Sequence, residues 1–173
     1  MAFRDFFQSN HWDVVDVLTT EPRAAELLPV NDLPLAQASL SFLDRQYPNG
    51  IYCHQKTALR LALAGENICL STGTASGKSL VFQAAAINLL AQDPKARIMA
   101  IYPMKALGNE QRERWQNAMV SAGLAPNAAS AENMVGRIDG SVPPGFRMHI
   151  LERSRIVVFT PDIIHAWLFS NLK

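Results

Sequence analysis

The sequence predicts an α/β fold: a parallel sheet covered by helices on both faces, with a helical N-terminal extension. Two observations carry this. Short runs that are apolar on both faces, such as 97–102 (RIMAIY) and 155–160 (RIVVFT), alternate with longer helical runs, the pattern of strands buried on both sides. One helical run, 78–91, is apolar on nearly every side through Leu80, Val81, Phe82, Ala84, Ala85, Ala86, Ile87, Leu89 and Leu90, as a helix lying between two layers would be.

Each element follows in order. Residues 1–44 read as mostly helical, with a mixed amphipathic pattern from Phe6, Phe7, Trp12, Val14, Val15 and Leu18, interrupted at Glu21-Pro22 and Leu28-Pro29, because proline disfavours helix in the residue before it. A helix over 35–47 ends at the turn signal Pro48-Asn49-Gly50. Residues 54–63 form a helix closed by Gly65. Strands are predicted at 67–71, 97–102, 134–138 and 155–160, and helices at 78–91, at 105–121 and from Pro161 onward. The chain is expected to divide into a helical extension, 1–46, and an α/β domain, 47–173. No internal repeat or low-complexity tract interrupts it.

Composition narrows the class. The chain has 173 residues, of which 49% are hydrophobic and 18% charged, which excludes a disordered polyelectrolyte. A net charge of +1 argues neither for nor against nucleic acid, since a binding strip can be local. Cys53 and Cys69 form no C-x-x-C pair and are expected to be buried thiols of a reducing compartment. His11, His54, His149 and His165 show no ligand spacing, so no zinc is expected. The N-terminus is too acidic and interrupted for a secretion signal. No apolar run approaches the roughly 20 residues of a membrane span. A cytoplasmic protein with no membrane association is expected.

The chemistry concentrates in "STGTASGKSL", Ser71 to Leu80. Its Gly-Lys-Ser tail is that of a phosphate-binding loop, although Thr72 stands where the pattern G-x-x-x-x-G-K-S has its first glycine. A predicted strand runs into the loop and the loop into an apolar helix, the setting in which backbone N–H groups and a helix N-terminus cradle phosphate. The cradle comprises Thr74, Ala75, Ser76, Gly77, Lys78, Ser79 and Leu80. Gly77 admits close approach of the backbone. Lys78 is placed to reach the β- and γ-phosphates, and Ser79 to offer its hydroxyl to Mg2+, which makes these two the candidate catalytic residues. The alternative, a chance Gly-Lys-Ser in a Ser/Gly-rich loop, leaves the order of strand, loop and helix unexplained.

Further motifs resemble one family. Gln55, on the helix leading toward the loop, is similar to the adenine-reading glutamine of the Q motif in superfamily 2 DEAD/DEAH-box helicases; a glutamine amide offers one donor group and one acceptor. Tyr102-Pro103-Met104-Lys105-Ala106-Leu107 resembles motif Ia, with Met104 in place of threonine, and Gln111 follows where the family also has a polar residue. Asp139-Gly140 matches the family's "Y-D-G-D-T" turn, from which Ile138, Ser141 and Val142 depart. Thr160-Pro161-Asp162 matches motif Ib, with Thr160 expected to cap the next helix and offer its hydroxyl to a phosphate. The similarity covers residues 50–173 and corresponds to the first RecA-like domain, with wording close to the YprA/MrfA-like repair helicases.

The resemblance implies ATP and Mg2+ as cofactors and single-stranded nucleic acid as partner, DNA before RNA. It implies a nucleic-acid track over Pro103, Lys105, Gln111, Asp139, Gly140, Thr160, Pro161 and Asp162, and a second RecA-like domain in cis. The family's acidic motif supplies a carboxylate that activates water, and this sequence has no adjacent Asp-Glu pair. The chain is therefore expected to be a fragment that binds nucleotide weakly and does not hydrolyse it at a helicase rate. Two other classes remain open: a small phosphotransferase, which would need an arginine-rich lid that is not seen, and a non-catalytic binding module. Arg147, Arg153 and Arg155 form a basic cluster that reads either as a phosphate contact or as a solvated face.

Overall fold

The computed structural model describes residues 9, 26–73, 76–103 and 105–171. The expected helical pattern of Phe6 to Leu18 and the break at Pro22 lie outside the described residues, as do Thr74, Ala75 and Met104.

The described chain begins with β1 (Leu27–Leu28), helix α1 (Gln37–Gln46) and β2 (Ile51–Tyr52). The two short strands pair antiparallel, Leu27 with Tyr52 and Leu28 with Ile51, where a mostly helical extension broken at Leu28-Pro29 was expected and no strand. The return depends on Gly50: its φ is +98°, and a Cβ there would stand 2.6 Å from the Leu28 carbonyl oxygen. Helices α2 (Cys53–Leu63) and α3 (Lys78–Gln92) follow. Then come β3 (Ile98–Ile101), α4 (Lys105–Ser121), α5 (Ala128–Met134), β4 (Val135–Ile138), α6 (Pro144–Arg153) and β5 (Ile156–Phe159). The described chain closes on α7 (Pro161–Ile163), a π-helical turn (Ile164–Leu168) and α8 (Phe169–Asn171).

The three longer strands form a parallel sheet in the order β3-β5-β4. The register aligns Ile101, Phe159 and Ile138 at one level. Every residue of β5 is buried, because it is the central strand and both its faces are covered. Ile156 and Val158 join Val135, Trp115, Met119, Ala86 and Leu90 in a core under α3 and α4. Val157 and Phe159 face the opposite way, with Ile138, Ile163, Ile164 and Leu168. A third core gathers Phe42 and Leu43 of α1, Leu59 of α2 and Leu80, Val81, Ala84 and Ile87 of α3.

Four expectations are corrected. Residues 67–71 pair with no strand among the described residues; a ladder needs a neighbouring edge, and Ile68 and Leu70 pack instead against the core of α1, α2 and α3. Helix α3 is not buried all round, since Phe82 is 40% exposed and Leu89 47%. Both cysteines are exposed. The arginine cluster is neither a phosphate site nor a solvated face as a whole. Arg155 donates to the Leu90 and Asp93 carbonyls at 2.9 and 2.7 Å, closing the C-terminus of α3. Arg147 donates to the Val142 carbonyl at 2.8 Å, with its guanidinium 5.6 Å from the Trp167 ring centroid. Only Arg153 of the three is exposed. Helices α5 and α6 carry no forecast; their onsets lie in an Asn127 cap that accepts from Ser130 N at 2.9 Å and in Pro144 at the first helical position, both normal start signals.

Polar bonds lock helix α1 onto this frame. The Ala36 amide donates to Asn88 Oδ1 at 2.7 Å and Ser39 Oγ to the Ala84 carbonyl at 3.0 Å. At its other end Arg45 donates to the Ser121 carbonyl at 3.0 Å. Arg97 holds the end of α6 by donating to the Leu151, Glu152 and Ser154 carbonyls at 2.7, 2.8 and 2.7 Å. Such cations complete carbonyls that a helix C-terminus leaves unpaired. Where α6 crosses β4, the contact is made by Gly136: a Cβ there would sit 2.5 Å from Ile150 Cγ2 and 2.5 Å from Ser154 Oγ. Ser154 is fully buried and its amide donates to the Ile150 carbonyl at 3.1 Å, so little space surrounds its side chain. Gly136→Ala is therefore expected to destabilise the fold by about 1–3 kcal/mol through overpacking, read as a lowered urea midpoint with an unchanged slope.

Candidate functional site

The loop that opens α3 ends on a glycine. Gly77 is the N-cap, in the left-handed region at φ +70° and ψ +28°, and no side chain caps the helix. Among the described residues no side chain accepts from the first-turn amides of α3, and Leu80 N donates to the Gly77 carbonyl at 3.1 Å. An uncapped helix N-terminus combines free N–H donors with the positive end of the helix dipole, which favours an anion. A Cβ on Gly77 would stand 2.3 Å from Gln55 Nε2, so the loop also needs glycine for packing.

Gln55 is 2% exposed. Its Oε1 accepts from the Tyr52 amide at 2.9 Å, tying the start of α2, while Nε2 donates to the Ser76 and Gly77 carbonyls at 3.2 and 3.0 Å. In this structure the amide expected at an adenine edge serves the loop. His54 Nε2 also lies 3.2 Å from the Ser76 carbonyl, and its ring stacks on Tyr52 at 5.6 Å and 12°. Lys78 grips the loop's other end, its Nζ donating to the Thr72 and Gly73 carbonyls at 2.9 and 2.7 Å. Ser79, in the first turn, lines a polar groove of about 590 Å³ with Gln46, Gln83 and Arg114. The Leu80 side chain is fully buried, so only its backbone belongs to the cradle.

The remaining candidates line up along the sheet. Ile101, Phe159 and Ile138 share one level, so the residues that follow them, Tyr102, Thr160 and Asp139, form a row at the C-terminal edge. The Tyr102 amide continues the ladder by donating to the Phe159 carbonyl at 2.9 Å. Pro103, Gly140, Pro161 and Asp162 are exposed on this edge, and Lys105 heads α4. Burial pushes the Tyr102 phenol above its usual value, while the bond it accepts from Trp115 Nε1 at 3.2 Å and the charge of Arg114 act in the opposite direction.

Three of the predicted track residues point inward. Asp139 is 1% exposed; its carboxylate accepts from Ser141 N and Ser141 Oγ at 2.8 and 2.5 Å and pairs with Arg137 Nε at 3.3 Å. Arg137 also bonds Asn109 of α4, linking the exit of β4 to the N-terminal part of that helix. Gln111 is 7% exposed and Thr160 5%, with Gln111 Oε1 and Thr160 Oγ1 lacking a hydrogen-bond partner among the described residues. Thr160 occupies the N-cap position of α7, but its hydroxyl makes no cap bond, which corrects the expected capping role. Sequence reasoning missed His54, Asn109 and Arg137. Only His54 carried a signal, its place beside Gln55.

The chain resembles known proteins in sequence and in fold. Residues 52–173 match the family model described as DEAD/DEAH box helicase. The chain is 36% identical over 120 residues to the ATP-dependent helicase HRQ1 of Saccharomyces cerevisiae, which covers 69% of this chain and 11% of that protein. It is 28% identical over 171 residues to the ATP-dependent helicase YprA of Bacillus subtilis, covering 93% of this chain and 22% of the relative. Among solved structures, the DUF1998 helicase MrfA bound to DNA and AMPPNP superposes with a TM-score of 0.78 at 24% identity, over 97% of this chain and 23% of that one. The chain thus spans less than a quarter of the length of each of these relatives.

The geometry predicts the behaviour of two Gln55 variants. Gln55→Ala removes the acceptor for Tyr52 N and both donors to the loop, with an expected loss of about 1–3 kcal/mol in urea unfolding. Gln55→Glu should be no milder, because its carboxylate would face the Ser76 and Gly77 carbonyl oxygens without a proton to share.

Proposed function

Because this chain belongs to the DEAD/DEAH box helicase family, we propose that it is the ATP-binding unit of an ATP-dependent nucleic-acid helicase. Residues 47–173 make up the nucleotide-binding unit, and 1–46 the extension. One observation carries the reading: the lysine-bearing loop heads a helix whose other end is fixed at the strand starts. Arg155, just before β5, holds the C-terminus of α3 at the strand starts. The 15 residues of α3 span roughly 22 Å at 1.5 Å per residue, which carries Gly77 and Lys78 toward the strand ends. Ligands of open α/β sheets bind outside those ends.

The residues present fit Mg·ATP. Gly77 leaves no room for a side chain, Lys78 supplies the cation for the β- and γ-phosphates, and Ser79 in the first turn would hold the metal. When bound, Mg2+ neutralises charge on the phosphates. Gln55 is assigned to the adenine edge, where reading the base means exchanging the Ser76 and Gly77 carbonyls for base atoms. A single strand of nucleic acid is assigned to Pro103, Lys105, Gly140, Pro161 and Asp162, with Asp139, Gln111 and Thr160 supporting that surface from beneath. DNA is favoured over RNA by the solved complex of MrfA with DNA. In the full-length protein, hydrolysis would be coupled to movement along that strand, together with a second RecA-like domain.

Calorimetric titration of the 173-residue chain with Mg·ATP is expected to show binding that Lys78→Ala weakens at least tenfold, or about 1.4 kcal/mol. Equal binding by the two proteins would sink the nucleotide assignment. The chain alone should bind without turning over at a helicase rate, since it has no adjacent Asp-Glu pair to activate water. In the full-length protein, single-stranded DNA is expected to stimulate ATP hydrolysis more than RNA does. A rate indifferent to both polymers would remove the track assignment.

A further inference from the structure

Thr72 stands at the position where the phosphate-loop pattern has glycine, and its hydroxyl makes contacts that glycine could not. Its carbonyl accepts from Lys78 Nζ at 2.9 Å, as does that of Gly73 at 2.7 Å. Its hydroxyl lies 2.5 Å from Ser76 Oγ. The third face of the ammonium meets this hydroxyl pair, with Thr72 Oγ1 at 3.5 Å and Ser76 Oγ at 3.4 Å. Ser76 is therefore held from two directions: its carbonyl by Gln55 and His54, its hydroxyl by Thr72. An ammonium has three donors, and here the loop's own oxygens engage them.

We propose that Thr72 is a positioning residue that sets nucleotide affinity. Its hydroxyl pins Ser76 and keeps the Thr72 and Gly73 carbonyls on Lys78, so that the phosphates of a nucleoside triphosphate must take the ammonium away from them. A glycine at this place would keep the carbonyl and lose the pin. The inference rests on the reading of this loop as an ATP site. It adds that the departure from the pattern weakens binding by design of the loop rather than by loss of a phosphate donor.

The test is calorimetric titration of the full chain with Mg·ATP and, separately, with inorganic triphosphate. Thr72→Val removes the hydroxyl at nearly constant shape, on an exposed residue. It is expected to tighten both ligands three- to tenfold. The similar gain with triphosphate follows because the pin acts on the lysine and not on the base. Thr72→Ser, which restores the hydroxyl, should return to the parent value, and Thr72→Val should give no gain in a Ser76→Ala background, since the two hydroxyls act as a unit. If Thr72→Val binds as the parent does or more weakly, while Lys78→Ala still weakens binding at least tenfold, the positioning role is overturned and the ATP site stands. If the parent binds neither ligand, or Lys78→Ala binds like the parent, the ATP reading itself fails.

Discussion

Helix α3 belongs to two hydrophobic cores at once, and this sharing places the loop. Leu80, Val81, Ala84 and Ile87 pack with α1 and α2, while Ala86 and Leu90 pack with the sheet and α4. Fully burying a leucine or isoleucine contributes roughly 1.5–3 kcal/mol, so the helix is fixed along its length by side chains on two sides. Its far end is closed by Arg155. A helix held in this way cannot retreat from its own N-terminus, and the uncapped amides after Gly77 stay where the fold puts them.

The loop is held through its carbonyls. Gln55 and His54 reach Ser76 and Gly77 from α2, and Lys78 reaches Thr72 and Gly73 from α3. Turning carbonyl oxygens toward side-chain donors satisfies groups that the loop itself leaves unpaired. It also couples three elements, since Gln55 ties the start of α2 to the loop while accepting from Tyr52. Gly77 is then constrained twice, by its left-handed backbone and by the 2.3 Å that separates a would-be Cβ from Gln55 Nε2.

The strand ends follow a different logic. Parallel pairing with a common register brings Tyr102, Thr160 and Asp139 to one level, although they come from distant parts of the chain. Two kinds of residue then share the edge. Pro103, Gly140, Pro161 and Asp162 are exposed. Asp139 is buried in a turn of its own making, bonded to Ser141 and paired with Arg137, which reaches Asn109 at the start of α4. The buried group orders the turn and joins it to the neighbouring helix, so the exposed group is presented on a braced surface.

Local pattern by itself determined the helix periodicity of α2, α3 and α4, the three sheet strands and the Gly-Lys-Ser loop at the head of an apolar helix, because apolar spacing and turn residues act over a few positions. The same reasoning failed wherever the outcome depended on a partner distant in sequence. Residues 67–71 have strand composition, but a strand exists only with a neighbour, and Ile68 and Leu70 packed against helices instead. Leu27–Leu28 became a strand because Gly50 let Ile51–Tyr52 return beside it. Arg147 and Arg155 looked like free cations until helix ends and carbonyls claimed them. The identity of the loop was local, whereas its present shape, with Lys78 on its own carbonyls and Gln55 on Ser76 and Gly77, was decided by the tertiary structure, since a buried donor must find an acceptor and only folding determines which one is near.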